Sequence, residues 1–242
     1  FLESNIIGTF NLIQKLNDFF KKQSNNFRSN FIFHHVSTDE VYGSLGEDGA
    51  FTEESPYDPR SPYSASKAAS DHLVMSWFHT YNFPVKISNC SNNFGPRQYP
   101  EKLIPLTIKK AINNKNIPIY GDGLNVRDWL YVEDHIDGII TIITKGEIGQ
   151  KYSIGGNCEK TNLELVTNLC QILDKKLNKS NKHKDLIKFV KDRPGHDKRY
   201  AIDYSKIKTK LGWEPKHNFH KALELTVDWY LNNKIALRMD KH

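Results

Sequence analysis

Tyr63 and Lys67 have the spacing that places two side chains on one face of a helix, about one turn apart. They stand in the segment YSASK, at the start of an amphipathic helical pattern that continues to Tyr81. A lysine ammonium close to a phenol favours the phenolate and lowers its pKa. A tyrosine tuned in this way can take a proton from an alcohol while hydride leaves the same carbon. By itself this spacing is also that of an ordinary surface pair, which many helices contain by chance.

Two adjacent carboxyl groups, Asp39 and Glu40, follow residues 31–36, an apolar segment typical of a buried parallel strand. Crowded carboxylates repel each other, so one of them can keep its proton at neutral pH while the other is ionised. Such a pair can supply both a general acid and a general base. Thr38 can in addition hydrogen-bond the oxygen that Tyr63 deprotonates. Taken alone, the three residues could equally be a solvated acidic turn or a helix cap.

Apolar segments of strand length alternate along the chain with longer segments of helical periodicity. The expected helices are residues 1–20, 63–81, 103–113, 133–144, 161–173, 205–211 and 219–231. The expected strands are residues 31–36, 84–90, 118–120, 126–132, 151–154 and 187–190. This order predicts an α/β fold with a mostly parallel sheet. Ligands of such sheets bind at the carboxyl ends of the strands, which directs attention to the residues after Val36 and Cys90.

Length and composition exclude several classes of protein. The chain has 242 residues, 38% of them hydrophobic, which is enough to fill a core. No apolar run approaches the roughly 18–20 residues that cross a bilayer, and no signal peptide is recognised at the start, so no membrane partner is expected. The chain opens without Met in the middle of a helical pattern, which suggests that a preceding segment is missing.

The net charge is +6, and lysines are dense between residues 175 and 191. No aromatic residues interleave with these lysines as a single-strand binder would need, so we expect a solvated surface and no nucleic-acid partner. Cys90, Cys158 and Cys170 are far apart and form no CxxC or Cys/His cluster, so neither a metal site nor a disulfide framework is expected. Reduced thiols of this kind are typical of a cytoplasmic protein.

The acid pair, the YxxxK spacing and several further segments together resemble the dTDP-glucose 4,6-dehydratase family of the extended short-chain dehydrogenase/reductase superfamily. The matching segments are FLESNIIGTFNL, HHVSTDEVYG, SPYSASKAASDHLV, SNNFGPRQYPEKLIPL, PIYGDGLNVRDWLYVEDH, YSIGGNCEKTNLELV and DRPGHDKRYAID. Related nucleotide-sugar epimerases and decarboxylases usually carry small hydroxyl residues where this chain has the acid pair. The triplet from Thr38 to Glu40 is therefore the feature that distinguishes a resemblance to the dehydratases from one to the epimerases and decarboxylases.

The resemblance implies a Rossmann-like doubly wound parallel sheet with a smaller C-terminal α/β region that binds substrate. Residues 1–92 would be the remainder of the NAD-binding domain. Residues 93–242 would be mainly the nucleotide-sugar-binding region, with some segments returning to the Rossmann sheet. The family's sheet begins with a strand and a Gly-rich turn that opens a helix and cradles the pyrophosphate of NAD. The sequence shows no such strand-to-helix turn, so an N-terminally truncated fold is expected.

The implied reaction converts dTDP-glucose to dTDP-4-keto-6-deoxyglucose and water, with NAD as cofactor. Tyr63 would take the proton of the sugar 4-hydroxyl, oriented by Thr38, while hydride leaves C4. Glu40 would remove the C5 proton, Asp39 would protonate the departing 6-hydroxyl, and hydride would return to C6. Lys67 would hold a ribose hydroxyl of the cofactor.

The resemblance also implies binding residues. Those near NAD would be Ser4, Tyr63, Lys67 and Asn93. Those near the substrate would be Thr38, Asn92, Lys102, Leu103, Pro118, Ile119, Tyr120, Arg127, Asn162, Asp192, Arg193, Pro194, Gly195 and His196. Pro118 to Tyr120 would lie against the thymidine, and Arg127 would bind the diphosphate, since a guanidinium forks onto two oxygens. Without the resemblance, Arg127 and Asp128 could be a surface ion pair, and several of the others ordinary turn residues.

The family further implies a homodimer through residues 1–20 and 63–81, although these apolar faces could also belong to the core of one chain. The alternative enzyme is a UDP-sugar 4-epimerase or decarboxylase of the same superfamily, against which the acid pair argues. A second alternative is an inactive nucleotide-sugar-binding fragment without cofactor. Retention of NAD after purification distinguishes this second alternative from the dehydratase.

Overall fold

The computed structural model describes residues 1–178 and 182–237, and these residues form two compact units. The first unit comprises Phe1–Ser91, Ile136–Gly155 and Tyr200–Glu214. The second comprises Asn92–His135, Gly156–Arg199 and Pro215–His242. Part of the lysine-rich segment, residues 179–181, lies outside the described residues.

Strands and helices alternate along the described chain. The strands are β1 (Phe33–Thr38), β2 (Val85–Cys90), β3 (Asn92–Phe94), β4 (Ile117–Tyr120), β5 (Val126–Tyr131), β6 (Lys151–Ile154), β7 (Glu159–Thr161) and β8 (Ile187–Val190). The helices are α1 (Gly8–Lys21), α2 (Asn25–Asn30), α3 (Pro62–Tyr81), α4 (Leu103–Ile112), α5 (Val132–Lys145), α6 (Asn162–Leu177), α7 (Ser205–Leu211) and α8 (Phe219–Asn232). A π-helical segment, Leu2–Ile7, precedes α1, and 3₁₀ turns occupy Asp39–Tyr42, His183–Leu186 and Lys234–Leu237. The predicted α/β class is confirmed, while α2, β3 and β7 were not predicted.

A parallel three-stranded sheet is the centre of the first unit, in the order β1-β2-β6. Thr38 pairs with Cys90, and Cys90 pairs with Ile154, so the three strands end level with one another. Helix α3 packs against β1 and β2, and α7 packs against β6. Because level carboxyl ends of parallel strands form a ligand-binding edge, the residues after Thr38 and Cys90 are the first place to look for a site.

Local sequence explains where helix α3 begins and ends. Ser61 and Ser64 form a reciprocal capping box, and Pro62 stands in the first turn, where its missing N–H has no cost. The helix ends at Asn82, which adopts the left-handed conformation with φ 52°. The signals at Ser61, Pro62 and Ser64 fix where α3 starts, and therefore where Tyr63 lies along the helix.

The buried face of α3 is largely different from the expected one. The expected apolar stripe ran through Ala65, Ala69, Leu73, Trp77 and Tyr81, widened by Val74 and Phe78. Of these, only Val74 is fully buried, while Ala65 and Tyr81 are exposed and the others half-buried. The other buried residues of α3 are Ser64, Ser66, Ala68, Ser70 and Asp71. Most of the buried face is thus small or polar, and Trp77 and Phe78 pack against the core cluster that includes Val74 and Val85.

The second unit contains two small sheets, β3-β5-β7 and β4-β8. Strands β3 and β5 pair in parallel, β5 and β7 antiparallel, and β4 and β8 in parallel. Helices α4, α6 and α8 enclose an apolar core that includes Phe94, Ile108, Trp129, Leu169 and Tyr230. In the described part of the chain no helix is long and apolar enough to cross a membrane.

Gly156 provides a stability test because a side chain has no room there. A Cβ at this position would lie 2.0 Å from the carbonyl oxygen of Trp129, whereas a Cβ at Gly46 would meet nothing within 4 Å. We expect Gly156→Ala to destabilise the protein by about 1–3 kcal/mol, since the backbone at Trp129 must move to admit the methyl group. Gly46→Ala should change stability by less than about 0.5 kcal/mol. Thermal melts of both variants test this, and equal melting temperatures would contradict the close approach.

Candidate active site

The acidic triplet is held by a short turn at the end of β1. The Thr38 hydroxyl accepts a hydrogen bond from the Glu40 backbone N–H (3.3 Å) and donates to the Asp39 carboxylate (3.2 Å). The Asn89 side chain on β2 donates to the Thr38 carbonyl (3.1 Å). Asp39 is only 2% exposed, while Glu40 is half-buried. The turn therefore directs one carboxylate into the protein and leaves its neighbour more accessible.

Tyr63 and Lys67 lie on the first turns of α3, and both are half-buried. The Lys67 ammonium donates to the carbonyl of Val36, on β1, at 2.7 Å. The ring of Phe1 packs edge-on against the ring of Tyr63, with centroids 5.4 Å apart. Lys67 is thus anchored to the strand that ends in the acidic triplet.

The charges of the acid pair act on the phenol of Tyr63. Burial, followed by the charges of Glu40, Cys90 and Asp39, raises the pKa of Tyr63 to about 12. This direction is opposite to the one expected from the YxxxK spacing, because burial and then the carboxylates raise the pKa of the phenol. The Lys67 ammonium is bound to a backbone carbonyl. Burial lowers the pKa of Lys67. The structure therefore brings Asp39, Glu40 and Tyr63 within electrostatic reach of one another.

Tyrosine burial predicts a loss of stability in alkaline solution. Burial raises the pKa of Tyr63 and of Tyr230 to about 12, and it raises the pKa values of Tyr42, Tyr57 and Tyr131 as well. A raised folded-state pKa means that the unfolded chain loses its proton first, so the stabilisation is complete below pH 10 and disappears as the pH rises toward 12. The free energy of unfolding in urea should fall steadily from pH 10 to pH 12. Tyr230→Phe should make that fall shallower, and an unchanged slope would contradict the assignment.

Asp71 is a charged residue of this region that the sequence did not point out. It is 1% exposed on α3, and its carboxylate accepts hydrogen bonds from the side chains of Ser37 and Tyr57, both at 2.8 Å. One sequence signal was available, since Asp71 continues the spacing from Tyr63 to Lys67 by one more helical turn.

In the second unit the structure brings together several of the predicted nucleotide-binding residues. The guanidinium of Arg193 lies over the ring of Tyr120, 5.4 Å from its centroid. His196 is hydrogen-bonded to Asp192 through Nδ1 at 2.7 Å. Burial lowers the pKa of His196, and the charges of Arg193 and Arg127 lower it further. Near the exposed ring of Tyr120 the structure thus brings together the Arg193 guanidinium and the hydrogen-bonded pair of Asp192 and His196, with the charge of Arg127 acting on His196.

The side chain of Arg127 is buried, and its guanidinium binds backbone carbonyl groups. Its guanidinium donates to the carbonyls of Val126 (2.7 Å), Asp197 (2.9 Å) and Lys198 (3.4 Å). The neighbouring Asp128 is 1% exposed and accepts from backbone N–H groups, so the two residues are not a surface ion pair. Arg127 ties the segment after the DRPGH sequence to β5, and its binding of a diphosphate stays a prediction.

The remaining predicted residues are more scattered. Ile119 is 1% exposed and its side chain belongs to the core, so only its backbone can reach a nucleotide. Lys102 precedes α4 and is exposed, and Ser4 is exposed in the π-helical segment. Asn92 and Asn93 lie on β3, Pro118 lies on β4, Leu103 begins α4 and Asn162 begins α6. Pro194 and Gly195 immediately precede His196, in the segment after β8.

The fit of the cofactor can be tested on the first unit. Lys67 is a half-buried cation beside Tyr63 and the carboxyl ends of β1 and β2, where a nicotinamide ribose can be held. Gly43, Gly46 and Gly49 have the spacing of a pyrophosphate-binding turn, but they follow the 3₁₀ turn, and the next helix begins only at Pro62. The described residues therefore fit the nicotinamide side of NAD. Among them no group of three or more metal-binding side chains could hold a metal ion.

Known proteins match almost the whole chain. The family described as GDP-mannose 4,6 dehydratase matches residues 1–226. The dTDP-glucose 4,6-dehydratase of Xanthomonas campestris pv. campestris (strain B100) is 52% identical over 236 residues, which are 97% of this chain and 67% of that protein. The chain thus spans about two thirds of the length of this relative.

Two solved structures share this fold, one at higher and one at lower sequence identity. The dTDP-glucose 4,6-dehydratase of Streptomyces venezuelae, solved with NAD bound, has a TM-score of 0.86 and 42% identity, covering 97% of this chain and 67% of that chain. A UDP-glucuronic acid 4-epimerase from Bacillus cereus, also solved with NAD, has a TM-score of 0.82 but only 28% identity, covering 96% of this chain and 69% of that chain. The fold is thus shared with epimerases, and the sequence is closer to dehydratases.

Proposed function

The chain belongs to the dTDP-glucose 4,6-dehydratase family, and from that membership we propose that it converts dTDP-glucose to dTDP-4-keto-6-deoxyglucose and water. The enzyme is a hydro-lyase of nucleotide sugars with NAD as its cofactor. NAD supplies a hydride acceptor and donor that is restored at the end of each turnover.

One observation carries the proposal, namely the acid pair within electrostatic reach of Tyr63. Dehydration needs a base for a carbon-bound proton and an acid for the leaving hydroxyl, whereas oxidation alone needs only the base that ionises an alcohol. Asp39 and Glu40 supply the additional acid and base beside the phenol that acts on the alcohol. An epimerase has no use for such a pair.

The residues of the first unit divide the work as follows. Thr38 orients the sugar 4-hydroxyl, and Tyr63 takes its proton while hydride leaves C4. The resulting ketone acidifies the hydrogen on C5, which Glu40 removes. Asp39 protonates the departing 6-hydroxyl, since hydroxide leaves poorly unless protonated. Lys67 holds a ribose hydroxyl beside the phenol.

The proposed role of Asp39 affects Tyr63 as well. As the acid for the 6-hydroxyl, Asp39 must carry a proton before elimination, and a neutral Asp39 no longer raises the pKa of Tyr63. Burial and the charge of Glu40, which are larger causes, continue to raise it.

The second unit is proposed to bind the nucleotide. The support is the cluster in which Arg193 covers Tyr120 while Arg127 and His196 lie nearby. An aromatic ring suits a thymine base, and two guanidinium groups suit a diphosphate. Residues 1–92, which belong to the first unit except for Asn92, are proposed to be the main part of the cofactor-binding region.

The test is to incubate the protein with dTDP-glucose and NAD and to measure the 4-keto sugar by its absorbance in alkali. We expect this product from dTDP-glucose, and we expect NAD to be retained through purification. No 4-keto product, together with turnover of UDP-sugars, would replace the proposal by an epimerase or decarboxylase. Binding of dTDP without retained NAD would favour a nucleotide-sugar-binding protein without cofactor.

We further propose a cytoplasmic homodimer that pairs through residues 1–20 and 63–81. The support is the number of large apolar side chains exposed on the first helical segment, including Phe1 (70%), Leu2 (66%) and Leu12 (54%). Apolar patches of this kind are typical of interfaces. Sedimentation velocity should give twice the 28.0 kDa of one chain.

A further inference from the structure

The carboxylate of Asp71 takes part in no step of the proposed reaction. It lies on α3 one helical turn beyond Lys67, and it is 1% exposed. Removing a carboxylate from water costs much free energy unless hydrogen bonds and charges compensate for the lost hydration. The surroundings of Asp71 should therefore show what the buried charge does.

Three side chains donate to one oxygen of this carboxylate. Oδ2 of Asp71 accepts from the Ser37 hydroxyl (2.8 Å), the Tyr57 hydroxyl (2.8 Å) and the Asn89 amide (3.4 Å). Ser37 is on β1, Asn89 is on β2, and the Asn89 amide also donates to the carbonyl of Thr38 at 3.1 Å. Asp71 therefore links α3 to the ends of both strands, including the first residue of the acidic triplet.

Further titratable groups surround the carboxylate. Nε2 of His35, on β1, lies 3.1 Å from Oδ1 of Asp71, and the side chain of His35 is 10% exposed. The ring of Tyr57 packs against His72 at a centroid distance of 5.0 Å, and the ammonium of Lys151 lies 5.0 Å from the centre of the same ring. The carboxylate thus faces His35 on β1 directly, while groups from α3 and β6 contact the ring of Tyr57, whose hydroxyl donates to it.

The charge of Asp71 also acts on Lys67. The Lys67 ammonium is half-buried, with its hydrogen bond to the Val36 carbonyl at 2.7 Å. Burial lowers the pKa of Lys67, and the negative charge of Asp71, followed by that of Cys90, opposes this effect. Tyr42, in the turn after β1, feels the same carboxylate, since burial and then Asp71 raise its pKa.

We propose that Asp71 is a positioning residue for the active site, whose buried carboxylate fixes α3 to the ends of β1 and β2 and holds the Lys67 ammonium in its half-buried place. Its hydrogen bonds to Ser37 and Asn89 set the distance between the helix that carries Tyr63 and the strand end that carries Thr38. Its charge opposes the effect of burial on the Lys67 ammonium, which lies one helical turn from Tyr63. The effect on catalysis rests on the proposed function, whereas the effect on Lys67 does not.

The test measures Lys67 directly and needs neither substrate nor cofactor. Trace acetylation with acetic anhydride over a range of pH values, followed by mass spectrometry, gives the pH at which each lysine becomes reactive, with an added small amine as reference. In Asp71→Asn, the midpoint for Lys67 should move to lower pH than in the wild type, because only the uncharged amine reacts. An unchanged midpoint would overturn the proposal.

Tyr57→Phe is the matched control, since it removes one hydrogen bond to Asp71 and keeps the charge. We expect this variant to lower the melting temperature while leaving the Lys67 midpoint at the wild-type value. A shift equal to that of Asp71→Asn would mean that packing and not charge controls Lys67, and would also overturn the proposal. Should Asp71→Asn fail to fold, Asp71→Glu keeps the charge and must keep the wild-type midpoint, and a lower one would count against the proposal.

Dehydratase activity gives a separate result. Asp71→Asn should lower kcat/KM, and Asp71→Glu should recover part of it. A shifted Lys67 midpoint in a protein that makes no 4-keto sugar would retain the charge role of Asp71 and reject the proposed function. A shifted midpoint with wild-type kcat/KM would reject the positioning role while leaving the proposed function in place.

Discussion

Replacing Tyr63 by phenylalanine should lower kcat for the 4-keto sugar by about 10²–10⁴-fold, the usual contribution of a positioned acid or base. The variant removes one oxygen and leaves the ring, so its packing against Phe1 is preserved. Without the phenol, no group takes the proton of the 4-hydroxyl as hydride leaves C4. Steady-state kinetics with dTDP-glucose measures the loss, and KM should change little because the nucleotide is proposed to bind in the second unit.

Tyr81→Phe is a suitable control for this variant. Tyr81 ends the same helix, but it is 48% exposed and far along the chain from Tyr63. It should have wild-type kcat and a melting temperature close to that of Tyr63→Phe. A Tyr63→Phe protein that folds and turns over at the wild-type rate would remove the phenol from the mechanism.

Glu40→Gln and Asp39→Asn should each lower kcat by about 10²–10⁴-fold, since each removes the acid or base of the elimination step. Both substitutions preserve side-chain shape, which matters most for Asp39 because it is 2% exposed. Because both groups serve one step, the double variant should lose much less than the product of the two single losses. Reaction in D₂O gives a second measurement. The C5 hydrogen of the product comes from solvent, so Glu40→Gln should slow the appearance of deuterium at C5 to the same extent as it slows product formation.

The dependence of kcat on pH distinguishes the effect of losing the Glu40 charge from that of a general loss of structure. Glu40 is the first of the charges that, after burial, raise the pKa of Tyr63. Glu40→Gln should therefore move the ionisation of Tyr63 to lower pH. Glu54→Gln, an exposed carboxyl in the following loop, should change neither kcat nor the pH profile. If Glu54→Gln and Glu40→Gln behave alike, the acid pair has no special role.

Most of the secondary structure could be predicted from local patterns. Helix α3 was expected at residues 63–81 and is found at Pro62–Tyr81, because the serine and proline signals at its start act over one turn of chain. Strands β6 and β8 were expected with their observed bounds. The unpredicted strands β3 and β7 have three residues each, which is too short for a periodic pattern.

The buried face of α3 could not be predicted in the same way. Apolar periodicity pointed to the stripe that includes Leu73 and Trp77, but the sheet is packed by small residues and by the carboxylate of Asp71. Periodicity reports which face is apolar, while close packing against a sheet also selects for small side chains. Burial of Asp71 is possible only because Ser37 and Tyr57 donate to it from other elements.

The amino-acid sequence by itself determined the fold class, the helix that carries Tyr63 and Lys67, and the strand that leads into Asp39 and Glu40, because these depend on local periodicity, capping and residue type. Only the tertiary structure decided the electrostatics. The pKa of Tyr63 is raised to about 12 because burial and the carboxylates act on the phenol, while Lys67 is held by the carbonyl of Val36. Charges interact through space according to distance and burial, and neither quantity is contained in the spacing of residues along a chain.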